Sequence, residues 1–230
     1  MSLSPPVLEA LATIEDLQKE VQQVAVRMMA AADGALYTID IVAIAALNRS
    51  YALTAAFGLL IERRNLVSAA GILRMQLDNA LRFSALWHVP DPDEAARQIL
   101  RGVRVKDLKD RSGQKLTDAR LQDLAKEEGD WVPGVYKKAS GYIHLSTAHI
   151  ASAIAPGEME EGQFQFKVSA EDDHVSDQTW LEAIPAFQAS TDLFLGLIEN
   201  WTGQKDQAQG LATSAERIGT APPATHETTG

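Results

Sequence analysis

The chain contains no cysteine. That one absence removes disulfides, thiolate metal sites and a cysteine nucleophile together, and it fits a reducing compartment. Positive charge is also scarce: 21 Lys and Arg against 31 Asp and Glu leave −10 at neutral pH, with a pI near 4.9. Such a balance opposes non-specific binding to nucleic acid by the molecule as a whole. There is no GxxxxGK[ST] phosphate loop and no GxGxxG after a strand, which excludes a nucleotide-binding α/β fold. No HExxH is present, and His144 and His149, five apart, stand about 140° apart around a helix, so they cannot converge on one ion. A single ExxH spacing, Glu171 to His174, lies in an acidic connector, whereas a di-iron bundle needs two such motifs on helices and two further glutamates. Neither a metal nor a cofactor is expected. The start, MSLSPPVLEALATIEDLQKE, lacks a basic segment followed by an apolar one, so no secretion signal is read and a cytoplasmic location is expected. No segment repeats, and none is rich enough in Gly, Pro or Ser to separate one domain from another.

What is present is helical patterning. The 230 residues are 46% apolar, enough for a sizeable core. Pro5 and Pro6 follow Ser4 as a helix start, and Leu8, Leu11, Ile14, Leu17, Val21 and Val24 recur at helical spacing up to about Ala32, where Asp33-Gly34 stops the run. Tyr37 to Arg63 is far more apolar. Asp40, Asn48, Arg49 and Glu62-Arg63-Arg64 cut it well below the roughly 20 clean residues a bilayer needs, so it reads as a central buried helix and no membrane partner is expected. Its alanines and Gly58 suggest close helix approach or a kink. Val89-Pro90-Asp91-Pro92 stops the next helix. Thr117 starts a short one, Trp131-Val132-Pro133-Gly134 breaks the chain, and a helix runs from Val135 to Ile154. Phe164, Phe166 and Val168 alternate with polar residues, which predicts one short strand or hairpin near 158–170. Helical spacing returns from Asp177 to Trp201, with Pro185 bending it or disturbing its first turns. The expectation is an all-α, single up-and-down helical bundle over 1–203 followed by a flexible tail over 204–230.

The organising helix is Arg64 to Trp87. Apolar residues cover nearly its whole circumference and leave one polar line, Arg74, Asp78 and Arg82 at i, i+4 and i+8. Two guanidiniums flanking one carboxylate form either an ion-pair ladder between helices or the polar floor of a site. Tyr136, Ser140 and His144 repeat that spacing later. Because an unpartnered buried charge costs several kcal/mol, the two lines are expected to face each other, with Asp78→Ala destabilising by about 3–5 kcal/mol. Glu94 to Arg120 carries eight Lys or Arg against four acids, +4, leaving −14 elsewhere. There Arg97, Arg101 and Arg104 on one face are either a solvated surface or a phosphate-contacting patch. Arg82 and His88 match an R-x5-H spacing, a pair able to activate a ribose 2′-hydroxyl without metal.

Leu73-Arg74-x-Gln76-Leu77-Asp78 with Leu81-Arg82, followed by Tyr136-x3-Ser140-x-Tyr142-x-His144, resembles an uncharacterised bacterial all-helical family bearing LLR-x-x-x-E and Y-x-x-x-S-x-x-x-H patterns. That family is similar in style to HEPN domains, helical modules of toxin–antitoxin and antiviral systems, several of which are RNases. The likeness spans roughly residues 46–150. It implies a helical fold in which Arg74, Asp78, Arg82, Ser140 and His144 meet, with Tyr136 and Tyr142 beside them. Two functions follow as expectations. One is a bundle that binds a partner protein or itself as a homo-oligomer, its polar cluster being structural. The other is a metal-independent HEPN-type RNase with His144 or His88 as base and Arg74 or Arg82 on the phosphate.

Overall fold

The computed structural model describes residues 3–127, 129–144, 169–172 and 175–219, with side chains through Gln207. Among them the chain is all-α: α1 (Pro5–Ala30), α2 (Thr38–Glu62), α3 (Leu66–His88), α4 (Pro92–Leu100), α5 (Asp118–Leu124), α6 (Trp131–Ile143) and α7 (Asp177–Gly219). The one extended pairing among the described residues is an isolated antiparallel bridge between Lys109 and Lys115. Except for its last two residues, the strand or hairpin read at 158–170 lies outside the described residues.

The buried positions of α1 (Val7, Ile14, Leu17, Val21, Val24 and Met28) keep to one stripe, which the helix lays against α2 and α7. Helices α2 and α3 pack on each other, and α3 on α7, closing a ring of four. Gly58 of α2 lies over Ile14, but a methyl there would stand at 3.6 Å, an ordinary contact. The glycine therefore does not set the approach of α1 and α2. Directions follow from paired residues. Gln76 and Asn79 of α3 reach Ser50 and Ala46 of α2, so these two are antiparallel. Gln188 and Glu199 of α7 meet Thr13 and Arg27 of α1, so those two run parallel. Outside the ring, α6 packs against α3.

The core has two apolar halves. In one, Phe83 packs edge-on against Phe194; in the other, Phe57 and Phe187 stack at 4.1 Å. Between them Gln76 donates to Ser50 Oγ at 2.8 Å and Thr191 Oγ1 at 3.1 Å, a buried polar layer joining three helices. Such a layer fixes the register of the helices, because a slip would leave several polar groups unpaired at once.

Three expectations are corrected here. Trp131-Val132-Pro133-Gly134 is the first turn of α6 rather than a break, since a proline in the first turn lacks an N–H that has no intrahelical partner anyway. At its other end α6 stops at Ile143, with His144 extended (φ −97°, ψ 147°), so the helix does not run unbroken towards Ile154. The chain does not leave the fold at Gly203: α7 continues to Gly219, and Lys205 is fully buried. Lys205 extends the core line of Phe194, Ile198 and Trp201 by one more helical step.

The acidic connector before α7 also has a structural role. Asp172 accepts from the backbone N–H of Leu66 at 2.7 Å and of Val67 at 3.4 Å, and its own N–H donates to the Arg64 carbonyl. The carboxylate thus satisfies the exposed amides at the start of α3 and sits at the positive end of that helix.

Candidate functional site

The polar line of α3 meets α5 and α6. Arg74 donates from Nε to Ser140 Oγ at 3.2 Å and lays its guanidinium 3.4 Å above the centre of the Tyr136 ring. Its Nη1 lies 3.5 Å from Asp78 Oδ1. Asp78 Oδ2 accepts from Arg82 Nε at 3.1 Å. Arg82 Nη2 in turn donates to Asp118 Oδ1 at 2.6 Å, and the Tyr136 hydroxyl donates to Asp118 Oδ2 at 3.0 Å. Two cations and two anions thereby close into a neutral network that ties α5 and α6 to α3. Local structure delivers each member: i, i+4 spacing aligns the α3 side chains, Thr117 caps α5 by accepting from Arg120 N and so places Asp118 in its first turn, and Tyr136 and Ser140 lie one turn apart on α6.

Electrostatics hold Tyr136, Asp118 and Arg82 in their resting states. Burial raises the Tyr136 phenol, Arg74 opposes it, and the hydrogen bond to Asp118 adds to it, so its pKa is pushed up to about 12. For Asp118, burial would favour the acid, but the Tyr136 hydroxyl and the Arg82 charge outweigh it and lower the pKa. Arg82 is likewise pushed down by burial and then further up by Asp78 and Asp118. None of these groups is brought towards neutrality, where an acid or base works best. The arrangement is chemically suited to clamping helices.

The remaining expected residues lie elsewhere. His144 is exposed beyond the end of α6, because termination at Ile143 turns it off the Tyr136 and Ser140 line, so it does not join the cluster. Tyr142 packs towards the second core half and lines a small apolar cavity of about 180 Å³ with Leu66, Leu73 and Ala183. His88 closes α3 half-buried. Burial lowers its pKa, with Glu127 opposing and Arg111 and Arg120 adding to the fall. Arg82, meanwhile, is turned to its two carboxylates.

The three arginines of the basic stretch do not form one face. Helix α4 ends at Leu100, Arg101 caps it, Gly102 turns the chain at φ +92°, and Arg104 follows outside the helix. Each has a carboxylate beside it: Asp93 and Glu94 for Arg97, Glu94 at 3.9 Å for Arg101, and Asp107 at 2.7 Å for Arg104.

A second polar cluster was not anticipated. Lys205 Nζ lies 3.1 Å from Asp40 Oδ2, both side chains wholly buried, and donates to the Met28 carbonyl at 3.0 Å. Asp40 also accepts from Trp201 Nε1 and from the Tyr37 N–H, both at 2.7 Å. The pair sits between the end of α1 and the start of α2, so each charge stands at the helix terminus that favours it. Next to it, Asp206 accepts from Ala32 N at 2.7 Å, which anchors a turn where Ala32 and Asp33 hold φ of 54° and 53°. Its signal was faint: Asp40 showed only as an interruption of an apolar run, and Lys205 as the next helical step after Trp201.

No family model, curated protein or solved structure matches the chain, and nothing in those comparisons bears on the resemblance to HEPN-like modules.

Proposed function

We propose that the chain is an interaction module that acts by docking a protein helix on the outward face of α1 and α2, with its charged network serving as a clamp. The observation that supports this most is the contrast between the two surfaces. Every member of the α3 network has a partner, whereas Val26, Ile41, Ile44 and Leu59 stand exposed on the α1–α2 face. Beside them runs an open groove of about 740 Å³ lined by Val21, Ala25, Met29, Leu47 and Tyr51. Contiguous apolar surface of this kind is what interaction sites present. By length and composition α2 is also apolar enough to cross a membrane, but one side of it is taken up by the core through Leu47, Leu53, Phe57 and Ile61.

The RNase reading gains no support from the site, since Arg74 and Arg82 are engaged by groups of the chain itself. Under the proposal the module works in the cytoplasm, and its resemblance to HEPN-like modules suggests a defence system as its setting. A hairpin at 158–170 would belong to the connection between α6 and α7.

The test is association of the full chain, measured by sedimentation both purified and in extract of cells expressing it with a tag. Ile44→Glu and Leu59→Glu should abolish association without changing the melting temperature, whereas network variants should change melting and leave association intact. A chain that sediments as a monomer in both settings refutes the proposal.

A further inference from the structure

Between Ile41 and Ile61 helix α2 carries a single charge, Arg49, in a chain of net −10. Its core-facing residues leave a second stripe turned outwards: Ile41, Ala45, Asn48, Ala52, Ala55 and Leu59. Of these only Ala55 is half-buried, and Ile41 and Leu59 are 51% and 61% exposed. The steps are four, three, four, three and four, the 3.5-residue repeat of a helix seam that packs on another helix. The stripe is also symmetric in size except at its inner pair, where Asn48 stands opposite Ala52. Its large residues are at the ends, its alanines lie inside, and Asn48 lies near the middle.

We infer that this face pairs with a second copy of the chain, α2 against α2 in antiparallel orientation about a two-fold axis passing at the level of Ser50. This rests on the interaction reading above and names the partner. A two-fold interface must be complementary to itself, and this stripe is: the axis sets Ile41 against Leu59, Ala45 against Ala55 and Asn48 against Ala52. The protruding Leu59 of one copy then meets the hollow between Ile44 and Met29 of the other.

A lipid surface fits less well. Membrane-lying helices pair bulky apolar residues with a Lys- and Arg-rich flank, whereas alanines allow two helix backbones to approach closely. Arg49 flanks the seam near the axis and stands beside its own mate, so screening or removing it favours pairing.

Because the chain has no cysteine, single cysteines report the register cleanly. Sedimentation of the purified full chain at up to about 100 μM should show a monomer–dimer equilibrium. Dimerisation should tighten with added salt and with Arg49→Gln, and weaken by about tenfold or more with Ala52→Glu or Leu59→Glu. Circular dichroism should confirm that each variant keeps its helix content. Under mild oxidation a mixture of Asn48→Cys and Ala52→Cys should cross-link, as should a mixture of Ile41→Cys and Leu59→Cys, whereas Ile41→Cys alone should not. Cross-linking of Ile41→Cys to itself, or a dimer indifferent to Ala52→Glu and Leu59→Glu, overturns the pairing. A purified monomer that still forms a Leu59-dependent complex in extract overturns self-pairing and leaves the interaction reading standing. A monomer in both settings overturns both.

Discussion

The two charged clusters solve the same problem in opposite settings. The Arg74–Asp78–Arg82–Asp118 network lies half-buried at the edge of the bundle, with redundant partners: Arg82 has two carboxylates, and Arg74 has a hydroxyl and an aromatic face besides Asp78. The Asp40–Lys205 pair is fully buried and has no second charge to fall back on. A pair so placed survives by adding hydrogen bonds to the ion pair. Asp40 takes the Trp201 and Tyr37 N–H groups, and Lys205 takes the Met28 carbonyl, which offsets much of the cost of removing both charges from water.

The largest expected effect tests that contrast directly. Lys205→Met leaves Asp40 buried without its counter-charge and should destabilise by about 3–5 kcal/mol in denaturant unfolding. Ending the chain at Gly203 removes Lys205 and Asp206 together and should cost at least as much. A loss below about 1 kcal/mol would mean that water reaches the pair, and the contrast between the clusters would fail.

Next comes Asp78→Ala. Asp118 still holds Arg82 and Ser140 still holds Arg74, so the cost should be about 1–3 kcal/mol, less than the 3–5 kcal/mol that the isolated α3 line suggests. A double-mutant cycle between Arg82 and Asp118 should show coupling of about 0.5 kcal/mol or more, because they share one network.

Tyr136→Phe should cost about 1 kcal/mol through the lost hydrogen bond to Asp118. It also separates the two clusters by pH. The folded phenol titrates at about 12, above its ordinary value near 10. Its contribution is therefore complete below about pH 10 and is lost as pH rises from there through 12. Wild type should lose stability in that window, and Tyr136→Phe should lose less.

The smallest effect is at His88, whose folded pKa is lowered, chiefly by burial. Its stabilising contribution is present above about pH 6.5 and falls away as pH drops from there through the folded value. His88→Gln should flatten the stability profile just below pH 6.5, while Lys205→Met leaves that slope unchanged.

Much of the bundle was legible because helix faces are written in local spacing. Ile14 to Val24 along α1 and Leu66 to Leu86 along α3 are buried on the pattern their sequence displays, whereas at the start of α1 Val7 takes the buried place and Leu8 is exposed. The α3 line was legible for the same reason, and so were Tyr136 and Ser140, one turn apart. Asp118 was not: it looked like an ordinary first-turn acid after Thr117, and nothing local says that the turn faces Arg82. His144 was misplaced because i+8 spacing locates a side chain only if the helix lasts that long, and α6 ends one residue too soon.

The class of the fold, the positions of most helices and the apolar stripe of each follow from the order of residues alone, since these depend on contacts within a few positions. Which polar residues meet, where α6 ends, and that Lys205 is core rather than tail depend on how the helices assemble. Asp40 and Lys205 lie far apart in the chain, and each looks ordinary among its neighbours. Their pairing exists because α1, α2 and α7 converge there, with opposite helix ends supplying the field that makes a buried cation and a buried anion tolerable together.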